Sequence, residues 1–289
     1  GGSMSTTTQA PQKLDPAASI HAETLGQAKR RGRMQGRKII VVGAGQRQVV
    51  DTDPPVGNGR AIALLCAREG AHVACIDNRK EAADATVAQI AAEGGKAFAE
   101  VMDVTDSAAI GPMVRKCAET MGGLDGLALI VGISNGLRLD KQTEEAWDHV
   151  FAVNVRSHML FAQQALEVMQ PGGSIILISS MASFRAHGFN PSYEASKGAQ
   201  HALGRAIARQ GESKGIRCNV ITPGFVDTPM GRDASRRRAD RALTVPFGRQ
   251  ATGWEVGYAG LFLLSNESSY VNAHVLAVDG GHMIGITRG

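Results

Sequence analysis

Residues 38–45 read K-I-I-V-V-G-A-G, and residues 56–65 read V-G-N-G-R-A-I-A-L-L. The first stretch holds an unbroken β-branched run, Ile39 to Val42, the composition of a strand covered on both faces. The second places apolar residues at helical intervals behind two glycines. A strand, a glycine-rich turn and a helix in that order bring main-chain N–H groups to a helix start, where they can hold a phosphate. Glycines at such a junction can equally be a simple loop, so the reading depends on the rest of the chain.

The alternation continues. Strands are predicted at Lys38–Val42, His72–Ile76, Lys96–Val101, Gly126–Ile130, Ser174–Ser179, Ile216–Ile221 and Val275–Val278. Helices are predicted between them at Gly59–Glu69, Lys80–Glu93, Ser107–Met121, Thr143–Met169, Ser192–Ser213 and Trp254–Ser265. Apolar strands separated by helices predict a single α/β domain, a parallel sheet that binds ligands at the carboxyl ends of its strands. No repeat or linker splits off a second domain. The second strand ends at Asp77, in V-A-C-I-D-N-R. A carboxylate there can accept hydrogen bonds from both hydroxyls of an adenosine ribose and repels a 2′-phosphate. It can also be no more than a helix cap. Its position beyond the glycines favours NAD, while Arg47, Arg60 and Arg79 keep NADP open.

Bulk properties exclude several classes. The 289 residues are 43% hydrophobic and 20% charged, which suits a globular protein with a substantial core. Aromatics are only 4%, so the core is expected to be aliphatic. A basic cluster runs from Lys29 to Lys38, without the interleaved aromatics that would stack nucleobases, so no nucleic-acid partner is expected. Cys66, Cys75, Cys117 and Cys218 lack metal-like spacing and read as buried small hydrophobes in a reducing compartment. No metal is expected, because His149, His158 and His201 have no ligand partners in register. Gly1-Gly2-Ser3 ahead of Met4 reads as an expression scar, and residues 5–36 as a poorly ordered polar leader without a signal-peptide core. No run is long enough to span a membrane, and the expected location is cytoplasmic.

Tyr193 and Lys197 stand four apart in P-S-Y-E-A-S-K, and Ser180 lies thirteen residues upstream of Tyr193 in I-L-I-S-S-M-A-S. On a helix, positions four apart share a face, so an ammonium sits beside a phenol and favours the phenolate. Alone, the pattern is weak.

In its full order the chain resembles a short-chain dehydrogenase/reductase from Arg37 to its end. The glycine turn is followed by Asp77, Asp103-Val104, Asn154, Ser180, Tyr193, Lys197, P-G-F-V-D-T-P and V-D-G-G. The resemblance implies a Rossmann-type doubly wound seven-stranded parallel sheet in the order 3-2-1-4-5-6-7. It implies a nicotinamide cofactor held by Gly43, Gly45, Gly57, Asn58, Gly59, Asp77, Asp103, Val104, Gly132, Pro223, Gly224, Val226 and Thr228, together with Tyr193 and Lys197. Tyr193 would be the general acid/base, Ser180 would hold the carbonyl or carbinol oxygen, and Lys197 would lower the tyrosine pKa. Asn154 would hold a water in a proton relay from Lys197. The implied substrate is a small secondary alcohol or ketone, or a 3-oxoacyl thioester. The implied assembly is a homotetramer packed through Thr143–Met169 and Ser192–Ser213.

Departures from the family pattern stand beside the matches. The segment Gln46–Val56 interrupts the glycine motif, and Val42 replaces its threonine. Leu129-Ile130-Val131-Gly132 stands where N-N-A-G is usual, so apolar packing is expected to replace the bracing amides. Ala273 sits at a customary glycine. The variable substrate lid, about residues 228–250, carries Arg232, Arg236, Arg237, Arg238 and Arg241, either a solvated face or a recognition surface for a carboxylate or a phosphopantetheine carrier. His187 and Phe189 could line the pocket. The altered glycine loop is the one support for a different function, a non-catalytic nucleotide sensor or scaffold.

Overall fold

The computed structural model describes residues 15–237 and 240–285, so the leader before Asp15 and the lid's Arg238 lie outside it. Its first half alternates β1 (Lys38–Val42), α1 (Asn58–Arg68), β2 (His72–Asp77), α2 (Lys80–Ala92), β3 (Lys96–Val101), α3 (Ser107–Met121) and β4 (Gly126–Leu129). There follow α4 (Glu144–Phe151), α5 (Ser157–Val168), β5 (Ser174–Ile178), α6 (Pro191–Gly211), β6 (Arg217–Pro223), β7 (Val226–Asp227), α7 (Pro229–Arg237), β8 (Ala251–Thr252), α8 (Gly253–Leu264) and β9 (Val275–Val278). Seven strands form one parallel sheet in the order β3-β2-β1-β4-β5-β6-β9, the expected topology. The seam between β1 and β4 is where the strand order reverses, which opens a crevice at their carboxyl ends.

Because side chains alternate along a strand, each strand feeds two cores. Ile40, Val42, Leu127 and Leu177 face α3, α5 and α6, and Ile39, Val41, Ala128 and Ile176 face α1 and α8. Phe161, Leu127 and Ile62 are fully buried, each contributing roughly 1.5–3 kcal/mol. Helices α1 and α8 approach closely because Gly257 and Gly260 present no side chain to Ala61, Leu65 and Ile62. Thr252 and Glu255 form a capping box that starts α8.

Two expectations need correction. The helix predicted over Thr143–Met169 is broken by a π-helical turn at Ala152–Arg156, which carries Asn154. Such one-residue expansions re-aim a side chain and are common at functional sites. The leader, moreover, is laid down on the domain from Asp15 onward. Arg249 reaches Ser19 through both its hydroxyl and carbonyl oxygens and also pairs with Glu255. The Thr252 hydroxyl donates to the Thr24 carbonyl at 2.6 Å. Gly26, at φ +68°, lies flat on the Trp254 indole. Met34 is fully buried, and Arg33 pairs with Glu69 and Glu267. The basic cluster is thus partly a set of struts holding the leader in place.

All four cysteines are buried and free, and burial pushes the thiols of Cys66, Cys75 and Cys117 up to about 12. No helix among the described residues is long and apolar enough to cross a membrane. Nor, among them, do three or more potential metal-ligating side chains converge.

Candidate active site

At the carboxyl end of β1, Gly43 adopts φ +91° and its N–H donates to the Ile76 carbonyl at 2.8 Å. A Cβ on Gly43 would press on Val131 N at 2.8 Å, and one on Gly59 would run into the Gly43 carbonyl oxygen. The two glycines let α1 start directly against the strand. Gly57 is the N-cap of α1 and carries no side chain to cap it. Asn58 Oδ1, beside it, is buried with no hydrogen-bond partner in the protein. A helix start with free main-chain donors fits a phosphate, and the orphaned amide oxygen fits a ligand hydroxyl or water.

Beside this cradle lies a cavity of about 340 Å³, lined by Gly43, Asp77, Asn78, Asp103, Val104, Val131, Ile133 and His149 among others. Its size falls within the range of small-molecule sites. Asp77 accepts from Gly45 N at 3.0 Å and from Arg79 N at 3.1 Å, which fixes its carboxylate at the rim. The Asp103 carboxylate accepts from both the Thr105 amide and the Thr105 hydroxyl, bonds that hold it below the usual carboxylate range. Asp77, Asp103 and Val104 therefore meet in one cavity. Gly132 lies further along, where an added Cβ would come within 3.0 Å of Lys197 Nζ. Pro223, Gly224, Val226 and Thr228 lie outside this cavity, at the end of β6 and the entry to α7; Gly224 N donates to the Val278 carbonyl and the Thr228 hydroxyl receives Gly231 N. These residues together fit a dinucleotide lying across the sheet's carboxyl edge.

Ser180, two residues beyond β5, is extended and accepts from Ala182 N at 3.1 Å. Its hydroxyl also acts on the Tyr193 phenol, favouring the ionised form. The neighbouring serines are otherwise engaged: Ser179 donates to the Lys197 carbonyl and Ser183 to the Ser180 carbonyl. His201 Nε2 touches both of those hydroxyls, at 3.2 and 3.0 Å, and clasps the loop on either side of Ser180. Lys197 Nζ lies 5.5 Å from the Tyr193 ring centroid and donates to the Ile178 carbonyl at 2.9 Å. Burial draws this ammonium down to about 8.

The tyrosine differs from expectation. Burial pushes its phenol above its ordinary value, against the opposing pull of the Ser180 hydroxyl and the Arg241 guanidinium. The counter-charge comes from the lid, while Lys197 is turned toward Ile178.

Asn154 is fully buried. Its amide bonds to both main-chain groups of Ile133 and to the Ser196 hydroxyl. Its own carbonyl accepts from Gln200 Nε2 at 2.8 Å, so a relay water would share that oxygen with an amide. Gln200 Nε2 also meets His158 Nδ1, and His158 Nε2 bonds to the Val131 carbonyl at 2.9 Å. Burial first, then Lys197, depresses His158 to about 3, so it is neutral and donates from Nε2. The loop after β4 is thus braced by polar groups from α5 and α6 as well as by apolar packing. Gln200 and His158 were not singled out from sequence for this role. Their signal was spacing: three residues after Lys197 and four after Asn154.

The inserted segment folds back on itself. Gln46 closes its base, donating to the Pro55 carbonyl and accepting from Gly57 N. Its tip is held to the lid by Arg232, which pairs with Asp51 and grips both oxygens of Asp227, at 2.9 and 2.8 Å. Arg47 adds a contact to the Pro229 carbonyl. The insertion's aspartate therefore points to an arginine, and Arg232 is engaged within the protein. Arg232→Ala is expected to speed proteolytic cleavage in residues 46–56 and raise the cofactor KM about three- to tenfold, with little change in melting temperature, as for other partly exposed ion pairs. Limited proteolysis and steady-state kinetics check this.

Comparison with known proteins bears on the same residues. A family model described as Enoyl-(Acyl carrier protein) reductase matches residues 56–283. The chain is 33% identical over 255 residues to a 3-oxoacyl-(acyl-carrier-protein) reductase FabG from Thermotoga maritima, covering 87% of this chain and 100% of that protein. It is also 33% identical over 256 residues to a cyclopentanol dehydrogenase from Comamonas testosteroni, covering 87% and 98%. A solved short-chain dehydrogenase/reductase from Serratia marcescens superposes with a TM-score of 0.80 at 29% identity, covering 86% and 99%.

Proposed function

The chain belongs to the short-chain dehydrogenase/reductase family, and on that premise we propose that it interconverts a secondary alcohol and its ketone with NAD as preferred cofactor. The observation that carries the reading is the convergence of three side chains: the Ser180 hydroxyl acts on the Tyr193 phenol, and the buried Lys197 Nζ lies 5.5 Å from the Tyr193 ring centroid. The nucleotide, when bound, supplies or accepts the hydride. Gly43, Gly45, Gly57, Asn58 and Gly59 would hold its phosphates, Asp77, Asp103 and Val104 its adenosine end, and Gly132, Pro223, Gly224, Val226 and Thr228 its nicotinamide end.

The chain's own groups handle the proton. In reduction the Tyr193 hydroxyl donates to the substrate oxygen while the Ser180 hydroxyl holds that oxygen in place. In oxidation the phenolate takes the carbinol proton. A phenol raised by burial is protonated at neutral pH, so reduction proceeds there and slows as pH climbs through the phenol's pKa. Oxidation gains over the same span. The Arg241 guanidinium, the cation that acts on the phenol, offsets the negative charge left on the phenolate.

Asp77 supports NAD, since its fixed carboxylate repels a 2′-phosphate. Arg60 is turned inward to the Thr86 hydroxyl at 2.9 Å. The kcat/KM of the wild type is expected to favour NADH, and Asp77→Asn to move the NADH-to-NADPH ratio toward NADPH about tenfold. A wild type that prefers NADPH would sink the assignment. We assign the substrate to the class named for its relatives, a cyclic alcohol or a 3-oxoacyl group. A homotetramer acting in the cytoplasm fits the reading, and sedimentation velocity checks the assembly.

A further inference from the structure

Resting on the reading of the glycine turn as a nicotinamide-nucleotide site, we propose that the docked leader, residues 15–26, positions the lid, and that leader docking and cofactor binding favour each other. Arg249 is the positioning residue, at the junction of the leader, the lid's return and the start of α8.

The Arg249 guanidinium holds the two oxygens of Glu255 from Nη1 and Nη2, at 2.7 and 2.9 Å, a paired contact that fixes its plane. Nε then donates to the Ser19 hydroxyl at 2.8 Å and Nη2 to the Ser19 carbonyl at 3.0 Å. Nη1 also donates to the Gln250 carbonyl at 3.0 Å. The side chain is only 15% exposed, so water would not freely replace a lost partner. Further along the same seam, buried Thr24 receives the Thr252 hydroxyl on its carbonyl and donates its own hydroxyl to Glu255 Oε2 at 3.4 Å. Arg68, in the last turn of α1, lies 4.8 Å from the Trp254 ring and donates to the Gly26 carbonyl at 2.8 Å. The leader is thus gripped at both of its ends.

From this seam two routes lead to the site. The first runs through β8. Ala251 N donates to the Phe225 carbonyl at 2.9 Å, and Ala251 and Thr252 pair in register with Val226 and Asp227. Asp227 is the carboxylate that grips Arg232, and Gln250 Nε2 donates to the Ser235 hydroxyl on α7 at 2.6 Å. A displacement at Arg249 therefore reaches both the entry of the lid and its helix. The second route runs through the start of α8. Gly253 lies so close to the Val56 carbonyl that a Cβ would collide with it, and Val56 leads directly into Gly57, the N-cap of α1. The helix start that faces the phosphates rests on the one that the leader covers. A nucleotide that orders the lid and the α1 start stabilises the surface on which the leader docks, and such a coupling is reciprocal by thermodynamic necessity.

The test combines NADH fluorescence titration with trypsin digestion of the full chain. Lys29, Arg30 and Arg31 are exposed and offer cleavage sites that mass spectrometry reads. Saturating NADH is expected to slow cleavage there about fivefold or more. Loosening the leader should weaken NADH binding about three- to tenfold. Two variants loosen it from opposite sides. Arg249→Ala removes the junction, and Gly26→Ala drives a methyl from the leader into the Trp254 indole at a backbone φ of +68°. The second leaves the domain's own side chains in place and gives a result even if the first folds poorly. Arg31→Ala removes only an exposed ion pair with Glu267, at 3.5 Å, and should bind NADH as the wild type does. Cleavage indifferent to NADH, wild-type affinity in both loosened variants, or an equal loss in Arg31→Ala overturns the proposal and leaves the cofactor reading intact. A wild type that binds neither NADH nor NADPH overturns the cofactor reading, and the proposal with it.

Discussion

Replacing Tyr193 with Phe is expected to lower kcat/KM by about 10²–10⁴-fold, the usual worth of a positioned proton donor. The substitution removes one oxygen and keeps the ring, so α6 should pack as before. Ser180 Oγ would keep its bond from Ala182 N, and Lys197 Nζ its bond to the Ile178 carbonyl. Nucleotide binding rests on the glycine turn and Asp77, and NADH affinity should therefore change by no more than about threefold, since no buried polar partner is orphaned there. The split between lost turnover and kept binding is the informative part. A variant that lost both would mean that Tyr193 supports structure; one that kept both would remove it from the chemistry.

Gly59→Ala should be as damaging by a different route. The added methyl would be driven into the Gly43 carbonyl oxygen, with Ile130 Cγ2 a further 3.4 Å neighbour. Neither can yield cheaply. Gly43 is tied by its N–H to the Ile76 carbonyl, and Val131 N is bonded to the Val42 carbonyl across the same seam. Relief requires α1 to back away from β1, which opens the core between α1 and α8 and displaces the helix start from the phosphates. Overpacking of this kind costs about 1–3 kcal/mol or more. Loss of detectable NADH binding by fluorescence and a lower denaturation midpoint are the expected results. Gly198→Ala in α6 is the control, because a Cβ there meets nothing within 4 Å. That change should stabilise by roughly 0.5–1 kcal/mol through helix propensity. Unchanged NADH affinity in Gly59→Ala would mean that the nucleotide does not use this turn.

The strands were legible in the sequence because a buried parallel sheet writes itself as apolar runs. Lys38–Val42, Lys96–Val101 and Val275–Val278 form over the predicted residues. The Ser180–Tyr193 pairing was legible from spacing on a known pattern. What the sequence concealed depends on contacts between distant positions. The clasp of Asp51 by Arg232 joins residues 181 apart, and nothing periodic announces it. The leader looked unstructured because its contacts are with Glu69, Trp254 and Arg249, partners far along the chain. The π-turn at Asn154 leaves no sequence trace, since the residues around it suit an ordinary helix. Ala273, the customary glycine position, does hold φ +55°, so the substitution carries local strain that the sequence could suggest but not size.

The central claim is that the Ser180–Tyr193–Lys197 site passes hydride between a nicotinamide and a carbonyl carbon. Its most direct test is to incubate the purified protein with NADH dideuterated at C4 and a panel containing a cyclic ketone and a 3-oxoacyl thioester. Mass spectrometry then reads the alcohol product. The account predicts one deuterium on the carbinol carbon per NADH consumed, with none formed by Tyr193→Phe in the same time. An alcohol without deuterium, or equal labelling by the phenylalanine variant, would contradict it.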